Sequence, residues 1–152
     1  MFAKNENKKY FLQNNWSNVI RKYYAIVEGS FKEKRGILKS YLIETKALEV
    51  FSTKDKKRGH LAITEYEVMA TNDKYSLLKI NIKTGRRNQI RVQLSDIGHP
   101  IAGDKKYHSK TDPLKRLCLH AYYLEYQNNN KTYKFEAKYP KAFKKIFDID
   151  SL

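Results

Sequence analysis

The chain is poor in several residue types, and each scarcity narrows the reading. It has 1 cysteine in 152 residues, which rules out an internal disulfide framework and suits a reducing compartment. Cys118 lies in the apolar run L-C-L and reads as core packing. Four histidines (His60, His99, His108, His120) show no ligand-type spacing with that cysteine, so no metal site is expected. No apolar run approaches ~18 residues, so no membrane-spanning helix is expected. The opening M-F-A-K-N-E-N-K-K has no apolar segment of the signal-peptide type, and a cytoplasmic location is expected. With 6 glycines and 3 prolines there is no low-complexity linker, and no internal repeat is visible. Acidic residues are also scarce: 16 Asp+Glu stand against 31 Lys+Arg, a formal net charge of +15. That imbalance favours a polyanionic partner, a nucleic acid before an anionic membrane surface.

What is present fits one domain over residues 1–152, with 41% hydrophobic residues for one modest core. Residues 5–20 read as a helix, with Tyr10, Phe11, Trp16, Val19 and Ile20 as its apolar positions. Residues 22–28 and 37–43 read as strands, and 53–59 as a charged, solvated turn. Residues 61–71 and 75–82 form a hairpin around Asn72-Asp73, with Leu78, Ile80 and Ile82 on one face at period two. Thr84 resembles an N-cap for a helix over 85–97, which Gly98 and Pro100 end. Residues 117–126 and 132–137 are further strands, and a short helix is expected at 141–147. The pattern is α+β, a mostly antiparallel mixed sheet with a few flanking helices.

The charge is densest in T-G-R-R-N-Q-I-R-V-Q-L-S-D-I-G-H-P-I-A-G-D-K-K-Y, residues 84–107. In a helix over 85–97, Arg87 and Arg91 would share a face while Ile90, Leu94 and Ile97 turn toward the core. Like charges at that spacing repel by a few tenths of a kcal/mol, which an anion between them would offset. Spacing alone leaves a solvated basic face equally open. The following G-H-P-I-A-G-D loop is stiffened by Gly98, Pro100 and Gly103, and a stiff loop beside a cationic helix suits positioning of a sugar–phosphate chain. His99 reads as a hydrogen-bonding anchor of that loop.

These residues resemble the T-G-R-x-H-Q-I-R-V-H…G-H-P-I-x-G-D…Y signature of the RluA-type RNA pseudouridine synthases. Three other stretches and a closing one follow in the family's order. R-K-Y-Y-A-I-V-E-G (21–29) is similar to K-x-Y-x-A-x-V-x-G. A-I-T-E-Y-E-V (62–68) is similar to A-x-T-x-Y-x-V. R-L-C-L-H-A (116–121) is similar to R-L-x-L-H-A, and residues 135–140 are similar to F-x-A-P-x-P. Asn88 and Gln93 replace the family's usual histidines, Arg21 its lysine and His108 a glycine. The H-R-L-D motif, whose aspartate is the family's catalytic residue, occurs nowhere in this sequence. The expectation is therefore the C-terminal part of a pseudouridine synthase catalytic fold, apparently truncated at its N-terminus.

The resemblance implies isomerisation of uridine to pseudouridine in ribosomal or transfer RNA, without metal or cofactor, on a nucleotide flipped from its stack. It implies that Tyr23 stacks on the target base and assists the proton step, and that Arg91 ion-pairs with the catalytic aspartate. Here Arg91 would face solvent, a bound anion or another acidic side chain. Leu119 would line the uracil pocket, with plain core as its alternative. Arg86, Arg87, Gln89, Lys105 and Lys106 would bind the substrate RNA, the cations through phosphates. Asp96 and Asp104 do not occupy the nucleophile's place in the motif. Two readings follow: an enzyme part inactive alone, or a non-catalytic RNA-binding protein that keeps the basic cleft. Lack of the missing part's strands would leave an unpaired edge and apolar surface, and self-association, pairing with a missing N-terminal segment or local disorder near residues 1–25 would follow.

Overall fold

A computed structural model describes residues 19–152. Seven strands and one α-helix form in the chain order β1 (Ile20–Glu28), β2 (Arg35–Glu44), β3 (Val50–Thr53), β4 (His60–Thr71), β5 (Tyr75–Ile82), α1 (Gln89–Asp96), β6 (Leu119–Asn128) and β7 (Lys131–Glu136). They make a single sheet in the order β3-β2-β4-β5-β1-β6-β7, and every neighbouring pair is antiparallel. The sheet is thus antiparallel throughout rather than mixed. Among the described residues the flanking helices are one α-helix and three 3-10 turns.

Position in the sheet explains the sequence of β1. Its Ala25, Ile26 and Val27 are all fully buried, because β5 and β6 flank the strand and both faces are covered there. Leu77, Leu78 and Ile80 of β5 join them in the main core, with Ile90 and Leu94 of α1 and with Phe143 and Phe147 near the C-terminus. Cys118 is buried in the same cluster, and burial pushes its thiol up to about 11.

The β4–β5 hairpin forms as expected. The Asn72 Oδ1 accepts from the backbone N–H of Lys74 and of Tyr75, at 2.9 and 2.8 Å, which closes the turn. Other expectations need correction. The helix read over 5–20 lies almost wholly outside the described residues, and Ile20 already belongs to β1. Arg21–Ala25 of β1 pair on both sides, and the edge strands of the described sheet are β3 and β7. The four-residue β3 was not legible as a strand, and residues 141–145 form a 3-10 turn rather than an α-helix, closed over the fully buried Phe143.

The helix begins later than its sequence implies. Thr84 is not its cap: its hydroxyl donates to Gln89 Oε1 at 2.7 Å and accepts from the Ile63 N–H at 2.9 Å. Residues 85–87 turn instead, and Asn88, with φ 53°, caps a helix starting at Gln89. Arg87 therefore lies outside the helix and does not share a face with Arg91. Ile97 lies past the other end and is 43% exposed rather than core.

Two glutamines and one threonine seat α1 on the sheet. Gln89 Nε2 donates to Thr64 Oγ1 at 2.8 Å, and that hydroxyl donates to Gln93 Oε1 at 2.5 Å. Gln93 Nε2 then donates to the Ala62 carbonyl at 3.0 Å and to Ser40 Oγ at 2.9 Å. Thr64, Gln89 and Gln93 are all buried, so each group depends on the others for a partner. Replacing Thr64 by valine keeps the shape and leaves an amide N–H and an amide carbonyl without this partner. The expected loss is about 1–3 kcal/mol of stability in urea unfolding; a loss under about 0.5 kcal/mol, the size of an ordinary surface substitution, would show that the chain of bonds is replaceable.

Candidate functional site

Tyr23 and Tyr24 are adjacent, and strand alternation sends them to opposite faces of the sheet. Tyr23 pairs with Ile80 on one side and Ala121 on the other. Ile80 shares a face with Ile82, which pairs with Thr64, and Thr64 bonds Gln89 and Gln93 of α1, so Tyr23 stands on the helix side. A register shift between Lys22 and Tyr23 sits just before it. Burial raises the Tyr23 phenol above its ordinary value, against the opposing effect of Arg21, whose guanidinium lies 5.8 Å from the ring centre. The phenol is protonated at neutral pH. Tyr24 faces the other way and stacks on Tyr122, centroids 4.1 Å apart. Leu119 pairs with Ala25 and so shares the face of Tyr23, one pairing step away. It also packs against the core, so its two readings meet in one place: it is partly buried and borders the tyrosine.

Arg91 follows Ile90 on α1 and is held from the loop beyond the helix. Its Nε donates to Asp104 Oδ2 and its Nη2 to Asp104 Oδ1, both at 2.8 Å. This bidentate pair is the strongest geometry a guanidinium and a carboxylate can adopt. The Asp104 side chain is 1% exposed and that of Arg91 24%. The hydrogen bond from Asp104 raises Arg91 above its ordinary value, against burial. The guanidinium also lies 5.0 Å from the Tyr107 ring centre, a cation–π contact. Of the three surroundings open to Arg91, the structure has the acidic side chain. Sequence reasoning passed over Asp104 as a partner; the signal was the G-D step of the loop motif, 13 positions on.

The loop that delivers Asp104 is tied to β1. Ala102 N–H donates to the Ile26 carbonyl and Glu28 N–H to the Pro100 carbonyl, both at 2.9 Å. Gly103 has φ +82°, and a Cβ there would sit 2.1 Å from the Arg116 carbonyl oxygen, so only glycine fits. His99 anchors the loop as expected, with Nδ1 2.7 Å from the Glu28 carbonyl and its ring stacked on Phe31 at 4.2 Å.

The remaining candidates separate. Gln89, expected among the RNA contacts, is instead a buried brace whose amide is engaged by Thr64, Thr84, the Ile63 carbonyl and the Arg86 N–H. It has no exposed donor for a phosphate. Arg86 and Arg87 are exposed in the turn before α1; Arg86 Nε reaches the Leu61 carbonyl at 3.3 Å, and Arg87 lies 3.9 Å from Glu44. Lys105 and Lys106 sit on a 3-10 turn, Lys105–Tyr107, with Lys106 bordering a separate hollow of about 270 Å³ beside Tyr107. Among the described residues no cluster of His, Cys, Asp and Glu could hold a metal.

An antiparallel sheet thus carries a half-buried tyrosine, and the helix packed on the same side carries a clamped arginine behind a cationic turn. Comparison gives the family. Residues 1–96 match the family described as RNA pseudouridylate synthase. An uncharacterized RNA pseudouridine synthase of Helicobacter pylori (strain J99) is 41% identical over 125 residues, which is 82% of this chain and 49% of that protein. The ribosomal large subunit pseudouridine synthase D of Borreliella burgdorferi is 37% identical over 124 residues, 80% of this chain and 38% of that protein. The human RNA pseudouridylate synthase domain containing 1 shares the fold at TM-score 0.77 and 22% identity, covering 91% of this chain and 62% of that one. The chain belongs to the RluA-type RNA pseudouridine synthase family. It spans about half the length of the curated relatives it matches, 49% of the Helicobacter protein.

The clamp on Arg91 has an asymmetric consequence. Arg91→Met leaves a carboxylate buried with no counter-charge and is expected to cost about 3–5 kcal/mol. Asp104→Asn leaves an arginine that reaches solvent and costs less. Urea unfolding of both variants checks the order; equal losses would mean the carboxylate is better solvated than its burial implies.

Proposed function

We propose that this chain is the base- and backbone-holding part of an RNA pseudouridine synthase, acting on ribosomal or transfer RNA in the cytoplasm, and that it does not isomerise uridine by itself. The observation that carries this is the pairing of Tyr23 with a sequence that contains no H-R-L-D. Tyr23 offers an aromatic face for an extruded uracil, worth about 1–3 kcal/mol of stacking per base. Its neutral phenol is a proton donor or acceptor for the exchange at the base carbon. Leu119 borders it on the same face and excludes water from one side of such a base. The C1′–N1 glycosidic bond is broken and a C1′–C5 bond formed in its place, with the C5 proton lost and N1 protonated; this needs a carboxylate beside the sugar, and by the family resemblance that carboxylate belongs to the H-R-L-D motif.

Asp104 does not supply it. Both of its oxygens are engaged by Arg91, and its side chain is buried. A carboxylate so held is a poor nucleophile, because attack would require it to give up a charged partner in a low-dielectric setting. Asp104 instead fixes which edge of Arg91 is free. Nε and one Nη2 proton are occupied, while Nη1 has only a 3.4 Å approach to Asn88 Oδ1. That Nη1 edge is the one left to receive an incoming carboxylate or phosphate. The second reading, a non-catalytic RNA binder, is favoured by Asp104 already holding the Nε–Nη2 edge of Arg91 and shares every other feature.

Two outcomes test the proposal. The purified chain, incubated with ribosomal and transfer RNA transcripts, is expected to yield no pseudouridine by carbodiimide-stop primer extension; a stop at any uridine would overturn its inactivity. The same chain is expected to bind those RNAs with an affinity that falls linearly on a log–log plot against salt, at about −0.7 per phosphate contact on single strands. An affinity flat between low and high salt would remove the RNA-holding role.

A further inference from the structure

Beyond the turn that carries Arg86 and Arg87 lies a groove of about 500 Å³ that no sequence motif marks. Three segments meet there: the β2–β3 turn with Lys46, the end of the β3–β4 loop with Arg58 running into His60 of β4, and residues 85–87 ahead of α1. Four permanent cations (Lys46, Arg58, Arg86 and Arg87) line it against one acid, Glu44. All four cations are exposed.

Little acidic charge offsets them. Glu44 pairs with Arg87 inside the groove, at 3.9 Å. Asp55, inside the β3–β4 loop, turns its Oδ1 onto the backbone N–H groups of Lys57 and Arg58, at 3.0 and 3.4 Å. This makes the loop compact and leaves its cations unneutralised. Gly59 completes the shape, since a Cβ there would lie 2.7 Å from Thr53 Cγ2 and 2.8 Å from Tyr41 Cβ. Among the described residues Lys46, Arg58 and Arg86 enter no ion pair. Placing four cations around one trough with a single counter-charge is unfavourable unless an anion joins them.

We propose that this groove is a phosphodiester-backbone site, with Lys46 and Arg58 as its new ligands beside Arg86, and that it holds the RNA strand flanking the target nucleotide. The proposal rests on the reading of the chain as an RNA-holding protein. The groove borders the residues that precede α1, so a strand lying in it runs toward the helix that carries Arg91. An extended polyanion fits better than a single phosphate, because the cations come from three separate loops. Phe51, 47% exposed on edge strand β3, stands in the adjoining hollow with Lys106 and offers a ring for a stacked base. The two hollows share Val50.

The test is fluorescence anisotropy with a 5′-labelled 20-nucleotide single-stranded RNA, a probe length set at roughly one to two ~4–16-nucleotide site sizes. The double variant Lys46→Gln/Arg58→Gln is compared with Lys141→Gln/Lys145→Gln, which removes the same charge from the C-terminal 3-10 turn, away from the groove. The groove pair is expected to weaken binding about tenfold and to flatten the salt slope by about 1.4, two contacts at ~0.7 each. The distal pair is expected to leave the slope unchanged. Lys46→Arg/Arg58→Lys, which keeps the charges, should restore the slope and excludes a folding defect. If wild type binds and the two Gln pairs behave alike, the groove assignment falls while the RNA-holding role stands. If wild type binds anionic phospholipid vesicles as tightly as RNA and the groove pair weakens both equally, the site is not specific to a nucleic-acid backbone and the proposal is overturned. If wild type does not hold RNA at all, both readings fall together.

Discussion

Everything on the helix side of the sheet depends on a buried run of hydrogen bonds through Gln89, Thr64 and Gln93. An eight-residue helix has little stability of its own in water, because nucleation costs more than so few turns return. Its N-cap, Asn88, makes no side-chain capping bond to the helix backbone, and no acidic residue sits in the first turn. The usual devices for starting a helix are missing. What holds α1 in place is its apolar contact through Ile90, Val92 and Leu94, with two amides that can be satisfied only in one register on β2 and β4. Slippage by one residue would bury both amides without partners. The result is a short helix with a fixed rotation, and therefore an Arg91 whose direction is set.

The second constraint comes from the loop after the helix. It is bonded to β1 at Ile26 and Glu28, and it brings Asp104 to the arginine. Helix and loop thus grip the guanidinium from two independent attachments to the same sheet. A side chain with long, flexible rotamers is converted into a rigid element at little entropic cost per bond, which an Arg–carboxylate fork allows and a lysine would not. Tyr107, under the guanidinium, fills the space a wandering rotamer would need.

Much of this was readable in advance, for identifiable reasons. The β4–β5 hairpin was legible because Asn72 closes its turn and Leu78, Ile80 and Ile82 alternate cleanly. The choice of Tyr23 over Tyr24 came from an ordered motif, and the sheet sets them on opposite faces. The start of α1 was misread because Thr84, a plausible cap by type, is drawn into bonds with Ile63 and Gln89 that local sequence does not reveal. Gln89 was placed with the RNA contacts because polarity predicts exposure, whereas this amide finds all its partners inside. β3 has only four residues, too few for alternation to register. The Arg91–Asp104 fork and the basic groove escaped notice for one shared reason: their members are distant in sequence and meet only when the loops are folded.

The central place of β1 also governs how the molecule comes together. Strands β2 to β5 pair with one another within residues 35–82, β3 folding back on the outer edge of β2, so this part closes through short connections as the chain leaves the ribosome. The first described strand is made before either of its flanking partners and must wait for both β5 and β6. During synthesis its fully apolar Ala25-Ile26-Val27 stretch stays unpaired until most of the chain has emerged. Shielding that one strand is thus a task of the nascent polypeptide, and the last hairpin is what locks it in.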